Sequence, residues 1–396
     1  MGRLNDDTSK KWILPIIVLA QFFCTSLWFA GNAIMGDLVE QFHFDPSYLV
    51  HLISAVQFGF IIGTLVFALL SISDRFSPSK VFFFCAIVAA ITNLVISLVI
   101  VNVTQLLIAR FITGFFLAGI YPVGMKIAAD HYQRGLGKSL GFLVGALVFG
   151  TAFPHLLKGM KSIPWHYIIF STSALSVIGG LAILLFVPNG PYRTFGQHLS
   201  LKTFLKGFGN KKFRAVAFGY FGHIWEQYAF WVFIPVILLS YSNRHPYLNF
   251  NIPLLSFLII AAGGFSCMLS GIISNRFGAK KIATIALALS GCCCLLSPLF
   301  LYGASPFIFF SFLFFWSVVV IADSPLFSTL VANSAVPAYK GSSLTIVNCI
   351  GFSITIISIQ LVGVLKSEAN ENYIYMLLAF GPLLGLIGLI RNSRTH

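Results

Sequence analysis

The sequence predicts an all-α integral membrane protein of twelve transmembrane helices, arranged as two pseudo-symmetric six-helix bundles. Three observations carry this. Of 396 residues, 58% are hydrophobic and only 9% are charged, where a soluble domain shows roughly 45–50% and about 25%. So few charges cannot wet a water-soluble surface. The apolar residues fall into twelve runs, each long enough for a bilayer core of about 30 Å. One short sequence also recurs about half a chain later.

The polar start, Met1 to Lys11, leads into a first run at 12–36. This run is too long for a signal-peptide core and lacks a small-residue cleavage site, so it is expected to remain as span 1. Runs at 47–72, 80–99, 104–128, 137–158 and 165–187 give spans 2 to 6, each bounded by charges or by Gly, Pro and Asn. The longest polar stretch, 188–212, opens with Pro188-Asn189-Gly190-Pro191 and carries Arg193, Lys202, Lys206, Lys211 and Lys212. It is expected to link an N-terminal bundle, 1–187, to a C-terminal bundle, 213–396. The second bundle holds spans 7 to 12 at 213–240, 252–274, 280–301, 305–333, 341–365 and 372–390.

The net charge of +14 raises the question of nucleic acid, but no compact basic patch interleaved with aromatics exists, and no nucleic-acid partner is expected. Position explains the charge instead. With both termini on the cytoplasmic side, nineteen Lys and Arg fall in cytoplasmic segments. Only Lys158, Lys161, Arg244 and Lys366 fall opposite, a clear positive-inside pattern. The expected location is the plasma membrane, the inner membrane if the source is bacterial. Seven cysteines lie in apolar runs without CxxC pairs or neighbouring histidines, so no metal site, disulfide framework or cofactor is expected. An enzyme is not expected either, for the chain has no HExxH, no GxSxG and no phosphate-binding glycine loop.

The repeat is specific. Ile72-Ser73-Asp74-Arg75-Phe76, followed by Lys80, returns 201 residues later as Ile273-Ser274-Asn275-Arg276-Phe277, followed by Lys281. Both copies lie between the second and third span of their half, as a duplicated six-span unit would place them. The loops resemble the Gly-x-x-x-Asp-Arg-x-Gly-x-Lys/Arg-Lys/Arg motif of the major facilitator superfamily. The second copy has Gly271, Asn275, Arg276, Gly278, Lys280 and Lys281, lacking only the acid. The first keeps Asp74, Arg75 and Lys80 but has Leu70 and Ser77 for the glycines and Ser79 for the first basic residue. Arg110-Phe111 with Gly114, and Arg134-Gly135, are similar to further signatures of that superfamily. The resemblance covers essentially the whole chain. It implies a monomeric secondary transporter working by alternating access, a cavity lined by spans 1, 4, 7 and 10, and gating loops at Asp74, Arg75, Asn275 and Arg276.

An ionisable group at bilayer depth costs about 2.5–3.5 kcal/mol on insertion scales, so each needs a reason. The sharpest constellation is Gly222-His223-Ile224-Trp225-Glu226-Gln227-Tyr228 in span 7, where His223, Glu226 and Gln227 share one helix face. Removing a carboxyl group from water favours its neutral form, which suits reversible proton binding. The competing reading is that His223 and Glu226 only bond each other or a neighbouring helix. Arg110 either faces the cavity as an anion partner or packs against backbone carbonyls. Lys126, which follows Tyr121, either contacts substrate or snorkels to the headgroups. Asp323-Ser324-Pro325 in span 10 reads both as a site residue and as the cap of a restarted half-helix. His155 reads as structural, and span 1 contributes Trp28 and Asn32. Two basic residues in span 4 favour a small polar, anionic organic solute, symported with protons across the bilayer. Export of an amphipathic compound or siderophore is the alternative.

Overall fold

A computed structural model describes residues 6–45, 47–98, 102–132, 136–160, 163–193, 208–301, 303, 305–335, 340–367 and 369–391. Residues 194–207 of the expected linker lie outside the described residues, as do the orientation charges Arg3, Arg134, Lys161, Lys202, Lys206 and Arg394. Helices account for every span, because in lipid each backbone amide must find its partner within its own segment. Among the described residues, eleven helices are long and apolar enough to cross a membrane, and the shorter apolar helix Lys11–Thr25 completes a set of twelve.

Three spans are interrupted. Span 1 runs as Asp6–Thr25, Ala30–Ala33 and Met35–Phe42, longer than its apolar run. Span 4 is Val103–Leu117 and Tyr121–His131, restarting at Pro122. Span 10 is Pro306–Ile321 and Ser324–Ser334, restarting at Pro325 as its Asp-Ser-Pro sequence suggested. Span 7 is one 34-residue helix, Lys211–Arg244, with Pro235 inside it. The others are Tyr48–Leu69, Pro78–Leu98, Leu136–Gly159, Trp165–Phe186, Ile252–Phe277, Ala279–Leu301 and Lys340–Leu365 for spans 2, 3, 5, 6, 8, 9 and 11. Span 12 begins as the tighter helix Ile374–Ala379 and continues as Phe380–Arg391. Asparagines start spans 4, 7 and 8: the side chains of Asn102, Asn210 and Asn251 accept from the first free amides of each helix.

The packing repeats with the sequence. Span 2 lies against span 4, span 3 against span 6, and span 1 against spans 5 and 6; six spans later the partners are 8 with 10, 9 with 12, and 7 with 11 and 12. The two cross-connections obey the same rule, span 5 with 8 and span 11 with 2. Leu185, Phe307 and Val364 stay exposed on the outside, where lipid would cover them.

Spans 5 and 8 approach through small residues. A Cβ added at Gly145 would lie 3.0 Å from the Gly264 carbonyl oxygen, and one at Gly141 would lie 3.1 Å from that of Cys267. Spans 2 and 11 meet through polar side chains. Thr355 Oγ1 donates to Gln57 Oε1 at 2.7 Å and Gln360 Nε2 donates to Ser54 Oγ at 2.8 Å. Asn251 Nδ2 adds a bond to the Gly159 carbonyl at 2.6 Å. These polar links sit at mid-depth and toward the face that carries residues 37–47, 158–160 and 244–251, here called the far face; the opposite one, carrying Arg75, Lys80, Arg193 and Lys211, is the basic face.

Candidate functional site

Spans 7 and 10 enclose a buried polar group. Trp316 Nε1 donates to Glu226 Oε1 at 2.6 Å, and Nδ1 of His223 lies 2.7 Å from Oδ1 of Asp323. All four side chains are essentially without solvent contact. Asp323 occupies the position before the restarted helix Ser324–Ser334, yet its carboxylate makes no cap bond there. The backbone carbonyl of Asp323 receives the Leu326 and Phe327 amides, leaving the side chain to face His223. Ser290 and Cys294 of span 9 lie beside the Glu226 carboxylate. His223 Nε2 and Gln227 Oε1 are buried without a protein partner. The structure therefore brings His223, Glu226 and Asp323 to one place, where two carboxyl groups and an imidazole can exchange protons away from bulk water, and leaves Gln227 beside Glu226 in the chain with its oxygen unmatched.

Arg110 belongs to a different construction. The break in span 1 frees main-chain carbonyls between Thr25 and Ala30, and a carbonyl without a partner at this depth is expensive. Arg110 NH2 donates to the carbonyls of Leu27 and Trp28 at 2.9 and 2.5 Å, and NH1 donates to Asn93 Oδ1 at 3.2 Å. Asn93 Nδ2 in turn donates to Ser173 Oγ at 2.9 Å. One guanidinium thus ties spans 1, 3 and 4 together, with span 6 joined through Asn93. Gly31 gives it room, since a Cβ there would lie 3.1 Å from Arg110 Nε.

Beside the break, an aromatic layer joins the halves. Trp28 of span 1 meets Phe60, Tyr228 and Phe352 at centroid distances of 5.1, 5.8 and 5.9 Å, and Tyr228 meets Trp231 at 5.2 Å. The indole N–H groups of Trp28 and Trp231, Nε2 of Gln57 and both side-chain polar atoms of Asn32 are buried without protein partners. Tyr121, first residue of the restarted half of span 4, lies within electrostatic reach of Tyr220 and Tyr228 across the halves. His155 is buried edge-on to Phe29.

At the basic face Lys126 Nζ is 3.0 Å from Asp74 Oδ1 and 3.7 Å from Asp130 Oδ1. Arg193 NH2 donates to the carbonyls of Asp74 and Phe76 at 2.9 and 2.7 Å, and Ser79 Oγ donates to the Val187 carbonyl at 2.7 Å. Asp74 is thereby engaged within its own half, while Arg75, Asn275 and Arg276 are exposed. The two loops also turn differently. Gly278 ends span 8 with φ of 87°, a left-handed conformation that favours glycine. Ser77 stands at the matching place, and there the chain takes its positive φ six residues earlier, at Ser71.

Trp316, Asn93, Gln57 and Thr355 were not among the expected site residues. An unusual count of amide and indole groups inside apolar runs was the available signal, weaker than formal charge.

A family model described as Major Facilitator Superfamily matches residues 17–359. An uncharacterized transporter of Rickettsia bellii is 24% identical over 275 residues, covering 67% of this chain and 65% of that protein. A gentisate transporter of Corynebacterium glutamicum is 25% identical over 182 residues, covering 44% of this chain and 40% of that protein. The chain spans less than two thirds of the length of the curated relatives it matches. Among solved structures, the human organic anion transporter MFSD10 has a TM-score of 0.76 at 14% identity, covering 96% of this chain and 99% of that one, a likeness of fold.

Proposed function

Because the chain belongs to the Major Facilitator Superfamily, we propose that it is a secondary active transporter that symports a small organic solute with protons by alternating access. The observation that carries the coupling is the buried group in the second half: Glu226 under Trp316, and His223 against Asp323 at the break in span 10. A proton taken up there neutralises a carboxylate that otherwise needs its donors, and so biases one packing of spans 7 and 10 over another. The proposed division is a bundle at 1–187, a linker at 188–212 and a bundle at 213–396, monomeric, with both termini in the cytoplasm and the far face outside. The proposed membrane is the plasma membrane.

The solute is read as an organic anion. Support comes from the names of the gentisate and MFSD10 relatives, and no longer from span 4, whose Arg110 and Lys126 are both engaged by the protein. The Asp74–Lys126 pair fits a loop released from the facing half, and the polar links of spans 2 and 11 fit a state closed on the far face. The test is Glu226→Gln in proteoliposomes. Accumulation driven by a pH gradient should vanish while solute counterflow, which needs no net proton movement, persists. Undiminished accumulation would overturn the assignment.

A further inference from the structure

We propose that the aromatic layer between the halves is the substrate site and that it selects a small planar aromatic acid. This rests on the transporter reading and names its substrate class. Trp28 and Phe60 belong to the first half, Tyr228 and Phe352 to the second, and their rings touch across the boundary. Rocking the halves apart separates those rings and leaves an aromatic wall on each side. A flat conjugated ring entering the gap restores offset and edge-on ring contacts to both walls. An aliphatic ring of equal size restores only the buried area.

The polar atoms at the same level define what the ring carries. Three N–H donors, on Trp28, Trp231 and Gln57, are buried without protein partners, and a buried donor left unmatched is costly. Gln57 has its oxygen already taken by Thr355, so its amide nitrogen is the free end. Both cations of span 4 are committed elsewhere: Arg110 to main-chain carbonyls and Lys126 to Asp74. Acceptor oxygens of a carboxylate therefore meet neutral donors, in place of a guanidinium. Gln227 Oε1, also unpartnered, is an acceptor for a ring hydroxyl, and it stands between Glu226 and Tyr228 in the chain. Substrate and proton then sit on adjoining turns of span 7.

Equilibrium binding to the purified full chain, read by tryptophan fluorescence and calorimetry, tests this with benzoate, 3-hydroxybenzoate and cyclohexanecarboxylate at one pH. Both aromatic acids should bind, the hydroxylated one more tightly, and cyclohexanecarboxylate about fivefold to tenfold more weakly than benzoate. Trp28→Phe keeps a ring but removes the donor, and should weaken benzoate about tenfold with the unfolding temperature unchanged. If that variant fails to fold, Trp231→Phe and Gln57→Leu carry the same expectation. Equal affinity for benzoate and cyclohexanecarboxylate, no binding of any probe, or unchanged affinity in the folded donor variants would overturn the proposal. Binding needs no gradient, so failed proton-driven accumulation with benzoate binding intact would sink the coupling and leave this site standing.

Discussion

Replacing Arg110 separates a folding role from a substrate role. Its guanidinium makes three hydrogen bonds, two of them to carbonyls that the break in span 1 leaves without helical partners. A bond to a charged group contributes about 1.5–3 kcal/mol in water-soluble proteins, and polar contacts within membranes average about 0.6 kcal/mol. Arg110→Lys keeps the charge but replaces the planar fork by a single compact ammonium, which cannot span the carbonyls of span 1 and Asn93 together; it should lose one or two bonds and about 1–3 kcal/mol on those scales. Arg110→Met strands both carbonyls and Asn93, each a buried acceptor left unmatched, and should lose about 3–5 kcal/mol. Gly31→Ala presses a methyl group against the same side chain and should cost about 1–3 kcal/mol. The Gly31 and Arg110 losses should not add, because the methyl group has less to clash with once the guanidinium is gone. Denaturant unfolding of the detergent-purified proteins, followed by tryptophan fluorescence, measures each single variant and closes the cycle of wild type, Gly31→Ala, Arg110→Met and the double variant. An Arg110→Lys protein that unfolds like wild type but binds solute poorly would refute the reasoning and make Arg110 a substrate anchor.

Asp74→Asn removes the partner of Lys126 and should shift the balance between the two open states, seen as altered hydrogen exchange at the basic end of span 2 without loss of folding. Gly145→Leu drives a side chain into the Gly264 backbone and should abolish transport while leaving much of each half's own packing, which a preserved unfolding transition would show. At the far face Glu371 is held below the usual carboxylate range: partial burial acts against this, but hydrogen bonds from Ser240, Lys366 and Arg244 outweigh it. A depressed carboxylate stabilises the fold above its unfolded value and loses that contribution as pH falls through its folded value. Glu371→Gln should therefore lower the unfolding free energy at pH 7, by about 0.5 kcal/mol per exposed ion pair, and match wild type in acid. A difference that grew in acid would contradict the sign.

The fold could be read largely because lipid reduces the choices: apolar runs become helices, and the Asp74–Arg75 and Asn275–Arg276 loops expose the duplication. The break in span 10 was visible in Asp323-Ser324-Pro325 and that in span 4 had its signal in Tyr121-Pro122. The break in span 1 has no proline at that point, and its cause lies in the Arg110 contacts that stabilise it. The site was legible by depth and not by pairing. His223, Glu226 and Asp323 stand out as charges in apolar runs. The Trp316 partner, 90 residues from Glu226, depends on helix rotations that periodicity does not fix. Arg110 and Lys126 were legible as cations inside an apolar run, but their acceptors are backbone carbonyls in one case and a loop aspartate in the other. Neither acceptor can be assigned before the helices are packed.

Proton movement itself tests the central claim most directly. Proteoliposomes loaded with a pH-sensitive dye, and given a solute shown to bind but no imposed gradient, report whether protons accompany it inward. Wild type should acidify the lumen in step with solute entry, and Glu226→Gln should exchange solute with no pH change. Solute entry into wild-type vesicles without any proton movement would contradict coupling through the Glu226, His223 and Asp323 group.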